Sequence, residues 1–196
     1  MADIPLHHIV YGTCKDFVTG EIIVDTDDER YRQKLARYLV EEKGYEKKDI
    51  KIGEKIETLY NGQFVSSKMS MVLSSNGKRI VIIRYAPGSL VTRERSAIAA
   101  ARVLDENYQI PLAVVTNGED AELLDTYTGE ILRRGLDGIP AYGEALALAD
   151  KLGFAPFPDE KKRERELRIL NAYDIEVCCA GGPCALPEAS EGRGKE

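Results

Sequence analysis

The chain has 196 residues, enough for one domain and an appendage, with 43% hydrophobic residues to fill a core and 31% charged residues to cover it. No apolar run approaches the roughly 20 residues of a membrane span, and the start, with His7 and His8, lacks the basic-then-apolar pattern of a secretory signal, so a cytoplasmic protein is expected. The net charge of −6 argues against a general nucleic-acid coat, yet residues 66–102 hold seven basic side chains (Lys68, Lys78, Arg79, Arg84, Arg93, Arg95, Arg102) against Glu94 alone.

The first predicted element is a helix. Thr26-Asp27-Asp28-Glu29 has the pattern of a capping box, in which the threonine oxygen takes an early backbone N–H and Glu29 reaches back to the cap. Tyr31, Leu35, Tyr38 and Leu39 follow at helical spacing, and Gly44 supplies a stop. Strands are expected at 55–60 and 68–74, either side of Asn61-Gly62, and at 79–85 after Asn76-Gly77. Asn-Gly suits a tight hairpin because both central residues must accept positive φ. The unbroken run Ile80-Val81-Ile82-Ile83 reads as a strand buried on both faces. Pro87-Gly88 breaks it, and Thr92 is placed to cap a helix over 93–105 whose alanines at 97–101 let it lie close on a sheet. A strand at 112–115 ends at Thr116-Asn117-Gly118, and a hairpin over 122–127 and 130–132 closes at Thr128-Gly129. Helices are expected at 141–152 and 159–173, with a Phe-Ala-Pro-Phe-Pro linker between them and a disordered polar end at 187–196. The order describes an α/β fold with a mixed central β-sheet flanked by helices.

Several of these residues carry a family likeness. The helix start at 29–32, Glu42-Lys43-Gly44-Tyr45, the strand pair across Asn76-Gly77, Ala86-Pro87-Gly88 and Val114-Val115-Thr116-Asn117-Gly118 form the pattern. It resembles the N-terminal domain of type I restriction enzyme R subunits, within the PD-(D/E)xK nuclease superfamily. The stretch from Arg84 to Leu90 and on through Arg93-Glu94-Arg95 looks like a stand-alone bacterial branch of that family. The resemblance implies a restriction-endonuclease-like domain over residues 1–152, with a C-terminal helix and cysteine-containing tail over 153–196.

The resemblance also implies a chemistry and where it would sit. The family uses an aspartate on its second strand and Glu-x-Lys on its third, the acids holding Mg²⁺ and the lysine assisting the attacking water. Those positions fall on Ser70, Ile83 and Tyr85, so no catalytic residue and no metal carries over. Magnesium enters only if an acid such as Glu94, Glu57 or Glu29 has moved into the cleft. Lys68, Arg84, Arg93 and Arg95 remain as a candidate basic face for nucleic acid or another phosphate-bearing partner, two of them near a positive helix end. The alternatives are a solvated surface on a protein-interaction scaffold, and a live endonuclease with migrated ligands. Cys178, Cys179 and Cys184 near a Gly-Gly-Pro turn, like Cys14, read as thiols rather than a zinc site, and Tyr31, Tyr38 and Tyr85 read as packing residues.

Overall fold

Thr26 both ends a strand and caps a helix. Its Oγ1 accepts the Glu29 amide at 3.2 Å, so helix α1 (Asp27–Glu41) starts where the capping pattern places it. The reciprocal half of the box is replaced, because the Glu29 carboxylate pairs with Arg32 and Gln33. This computed structural model describes residues 10–60, 63–157 and 159–179, and the expected polar end and Cys184 lie outside them.

Ahead of α1 stands a hairpin that the sequence reading lacks, β1 (Val10–Lys15) with β2 (Ile22–Thr26). Asp16 in its turn anchors it to α1 by accepting from Arg32 and Gln33. Burial alone would raise the Asp16 pKa, but the Thr19 amide, Arg32 and Gln33 bring it down to about 2. Gly44, at φ +76, turns the chain out of α1 toward the short strand β3 (Ile50–Ile52).

The next hairpin differs from expectation. Its strands are β4 (Lys55–Tyr60) and β5 (Gln63–Lys68), so the partner begins directly after residues 61 and 62. The expected strand at 68–74 is therefore split at Met69 and Ser70, and β6 (Met71–Ser75) forms a separate element. Asn76 and Gly77, at φ 50 and 78, then make the tight turn into β7 (Lys78–Tyr85), antiparallel to β6. Helix α2 (Val91–Val103) is capped at Leu90 instead of Thr92, whose hydroxyl donates to the Ser89 carbonyl. Strand β8 (Leu112–Thr116) lies parallel to β7, followed by the antiparallel pair β9 (Ala121–Asp125) and β10 (Ile131–Arg134). Helix α3 (Tyr142–Leu152) begins with the Glu144 carboxylate accepting the Ala141 amide at 3.0 Å. Helix α4 (Glu160–Cys179) outruns its expected end, so Cys178 and Cys179 lie on helical backbone rather than in a turn.

The central sheet has the order β10-β9-β8-β7-β6-β3. Pleating sends Val81 and Ile83 of β7 to one core, with Leu35, Ala36 and Leu39 of α1 and Ala145 and Ala149 of α3. Ile82 goes to the other core, with Val72, Ala113, Val115 and Leu124, against α2. Residues 97–101 of α2 are all buried because α4 covers the side of α2 that faces away from the sheet, with Leu170 in the same core. The fold is thus a mixed sheet with helices on both faces, of the restriction-endonuclease-like α/β class. Among the described residues no helix is long and apolar enough to cross a membrane.

Candidate functional site

Ser70, Ile83 and Tyr85 do meet. Ser70 donates its amide to the Ile83 carbonyl at 3.1 Å, and its hydroxyl accepts the Tyr85 amide at 2.9 Å. The serine side chain is thus taken up in holding the end of β7. Ile83 is fully buried in the core beneath α1. Tyr85, two residues on, shares its face, and Arg84 between them points to the α2 side, where its Nη1 donates to Ser96 Oγ at 3.4 Å.

An aromatic stack occupies the space over this strand end. Tyr85 and the α1 residue Tyr31 lie ring on ring, with centroids 4.5 Å apart and planes 15° from parallel. Burial raises both phenol pKa values, and the Asp28 carboxylate adds to the rise at Tyr85. Gly118, at φ +102, completes the arrangement, because a β-carbon there would lie within the Tyr31 ring. Gly118→Ala is therefore expected to evict Tyr31 and strain the turn, destabilising the protein by about 2 kcal/mol. Tyr31→Ala made together with it should recover part of that loss in chemical denaturation, since the clash is then gone.

The four basic residues take different places. Arg84 reaches Ser96, whose hydroxyl also donates to the Arg93 backbone carbonyl at 3.1 Å. Lys68 is exposed at the end of β5, its stem against Gly53. Arg95 turns away toward α4, where both its terminal nitrogens meet the Glu166 carboxylate, at 2.7 and 2.8 Å. Arg102 joins the same carboxylate at 2.9 Å.

The family model described as type I restriction enzyme R protein N terminus (HSDR_N) matches residues 27–140, more than half of the chain. The chain belongs to this family. No curated protein and no solved structure matches it. The match begins at α1 and ends just before α3, so it spans every element that frames Ser70, Ile83 and Tyr85. The acids named as potential replacements for this family's ligands do not gather there. Glu29 is paired with Arg32, Glu57 is exposed on the β4–β5 hairpin, and Glu94 lies in the first turn of α2. The acid that does reach the strand end is Asp28, which sequence reasoning passed over as a helix-start residue. A hard divalent cation wants several oxygen ligands, and the serine, isoleucine and stacked tyrosine at the family's catalytic positions do not fit one. Among the described residues, no group of three or more His, Cys, Asp or Glu side chains is placed to hold a metal ion.

Proposed function

We propose that the protein is a restriction-endonuclease-like domain without nuclease chemistry, which binds nucleic acid by its phosphates through the basic edge formed by Arg84 and Arg93. Lys68, exposed at the end of β5, is the third proposed phosphate contact, and Arg95 contributes only when it leaves Glu166. The observation that carries the reading is the filled catalytic corner. Ser70 is bonded to the Tyr85 backbone, Ile83 is core, and Tyr85 is stacked on Tyr31. Loss of the acids removes the groups that would repel phosphate there and leaves the guanidinium of Arg84 one residue away on the opposite face. We take the compartment to be the bacterial cytoplasm, consistent with the free thiol of Cys14.

Binding of this kind releases counterions, so log affinity should fall with log salt at about −0.9 per phosphate neutralised on duplex DNA. Two to four contacts give weak binding, on the order of micromolar at physiological salt. Arg84→Ala and Arg93→Ala should each flatten the slope by about one unit and weaken all sequences alike, because phosphate contacts position without specifying. Substitutions at Lys161 and Lys162 should have much less effect. A mobility-shift titration with and without Mg²⁺ or Mn²⁺ tests all of this. A salt-dependent shift without cutting supports the proposal, neither shift nor cutting makes the fold a scaffold for protein contacts, and metal-dependent cutting makes it an endonuclease.

A further inference from the structure

The turn of the β1–β2 hairpin and the outer side of α1 enclose an open groove of about 370 Å³. Phe17 and Val18 of that turn pack on the core beneath α1, so the groove lies on the face of the sheet opposite Arg84. Phe17 gathers cations from two further segments. The guanidinium carbon of Arg37 on α1 stands 4.5 Å from its ring centroid. The Nζ of Lys47, from the 3₁₀ turn Lys47–Asp49 ahead of β3, stands at 3.8 Å. Lys47 also donates to the Phe17 carbonyl at 2.6 Å, and its remaining N–H groups are left for other acceptors. Lys15 lines the groove with its stem along the turn, its Cε 3.6 Å from where a β-carbon on Gly20 would lie. The Thr19 hydroxyl is a further lining group; it accepts the Glu21 amide at 3.3 Å and keeps its own proton to donate. Asp16, the carboxylate in this lining, is buried and committed to Arg32, Gln33 and the Val18 and Thr19 amides. Lys15, Arg37 and Lys47 have no ion-pair partner among the described residues.

We propose that this groove binds a phosphate monoester, with Arg37 gripping two phosphate oxygens and Lys15, Lys47 and Thr19 taking up the rest of the group. In a chain of net charge −6, cations brought together on one aromatic ring without an acid between them repel one another, and an anion relieves that repulsion. A monoester carries a charge of about −1.5 to −2 at neutral pH and three strong acceptor oxygens. A single carboxylate would leave the groove overcharged. The planar fork of Arg37 matches two phosphate oxygens, while the lysines act as point charges. The turn is set before any ligand arrives, because Gln33 accepts the Phe17 amide at 2.7 Å and the Phe17 ring seats both Arg37 and Lys47. Less ordering is then left to oppose binding. Lys15, Phe17 and Thr19 precede residue 27, where the family match begins, so the groove is separate from the family's nuclease corner. Two sources share the chemistry, a phosphorylated end of a nucleic acid and a small phosphorylated molecule.

The test is titration of the full chain with inorganic phosphate at fixed ionic strength, followed by amide NMR. The Thr19, Gly20 and Lys47 signals should move together, with a dissociation constant on the order of 1 mM, and acetate should not move them. Arg37 is exposed on α1, so Arg37→Gln keeps the fold and should weaken phosphate binding about tenfold or more. Lys48→Gln, at a lysine paired with Glu46 and outside the groove, should leave it unchanged. Shifts that acetate reproduces, that Arg37→Gln leaves intact, or that are still missing at about 20 mM phosphate overturn the site. A 5′-phosphorylated oligonucleotide that binds here more tightly than both its 5′-hydroxyl form and phenyl phosphate makes the ligand a nucleic-acid end. Phenyl phosphate binding as tightly as the oligonucleotide makes it a small molecule. Arg84→Ala and Arg93→Ala should change none of these shifts, so the groove and the nucleic-acid edge on the other face stand or fall separately.

Discussion

Ile83→Glu is expected to unfold the protein or leave it severely destabilised, although the family resemblance puts a catalytic glutamate at that position. In an active relative of the fold the carboxylate is held by a metal ion and a second acid. Here Ile83 is fully buried among Leu35, Leu39, Met71 and Val114, with Ser70 and Tyr85 already bonded elsewhere. A buried, unpaired carboxylate costs several kcal/mol even when it takes up a proton, and losing the isoleucine from the core adds to that. The total, about 4 kcal/mol or more, is a large part of the 5–15 kcal/mol that holds a typical domain together. Chemical denaturation measures it directly, with soluble yield as a second readout. A variant that keeps wild-type stability and gains stability from added Mg²⁺ would show that the corner still accepts a cation, and the inactive reading would fail.

The second large effect is expected at the seam between α2 and α4. Glu166→Ala removes the carboxylate that Arg95 and Arg102 share and leaves two guanidinium groups facing each other. Burial would raise the Glu166 pKa, but Arg95 and then Arg102 hold it below the usual range, so the charge belongs to the folded state at neutral pH. Breaking a buried pair typically costs 3–5 kcal/mol, and discounting for the partial exposure of Arg95 leaves about 3 kcal/mol. Because Leu170 and Asn171 follow on the same helix face, limited proteolysis should open first within α4 in this variant. A change within about 0.5 kcal/mol would mean that apolar packing alone holds α4.

What could be read in advance followed locality. Asn76-Gly77, the Thr26 cap and the run at 80–83 declare themselves within a few residues, and each produces the element it predicts. The β1–β2 hairpin escaped because it packs on itself and on α1, leaving Val10, Tyr11, Ile22 and Val24 exposed without a buried alternation to read. Strand β3 is too short for any periodicity, and in β5 the buried Val65 is followed two residues on by the buried but polar Ser67. Thr92 failed as a cap because the helix starts two residues before the expected position, at Val91, and already contains it. At the site, the positions Ser70, Ile83 and Tyr85 were legible through the family pattern. The long-range partners were not, because Tyr31 lies 54 residues from Tyr85 and Arg95 lies 71 from Glu166, separations at which sequence spacing carries no signal.

The parallel seam between β7 and β8 sets the order in which the chain can assemble. The pairs β1–β2, β4–β5, β6–β7 and β9–β10 join neighbours in sequence, and such hairpins close in about 1–10 μs. β7 and β8 have no short route to each other, because all of α2 must be crossed before Val81 can register with Leu112. Helix α2 has little apolar asymmetry to bring it down one side first, since residues 97–101 are buried on every side. It gains its full contacts only once a finished antiparallel block on one side and α4 on the other are both there to receive it. The rate of folding is therefore set at the centre of the sheet, where the loop to be closed is longest.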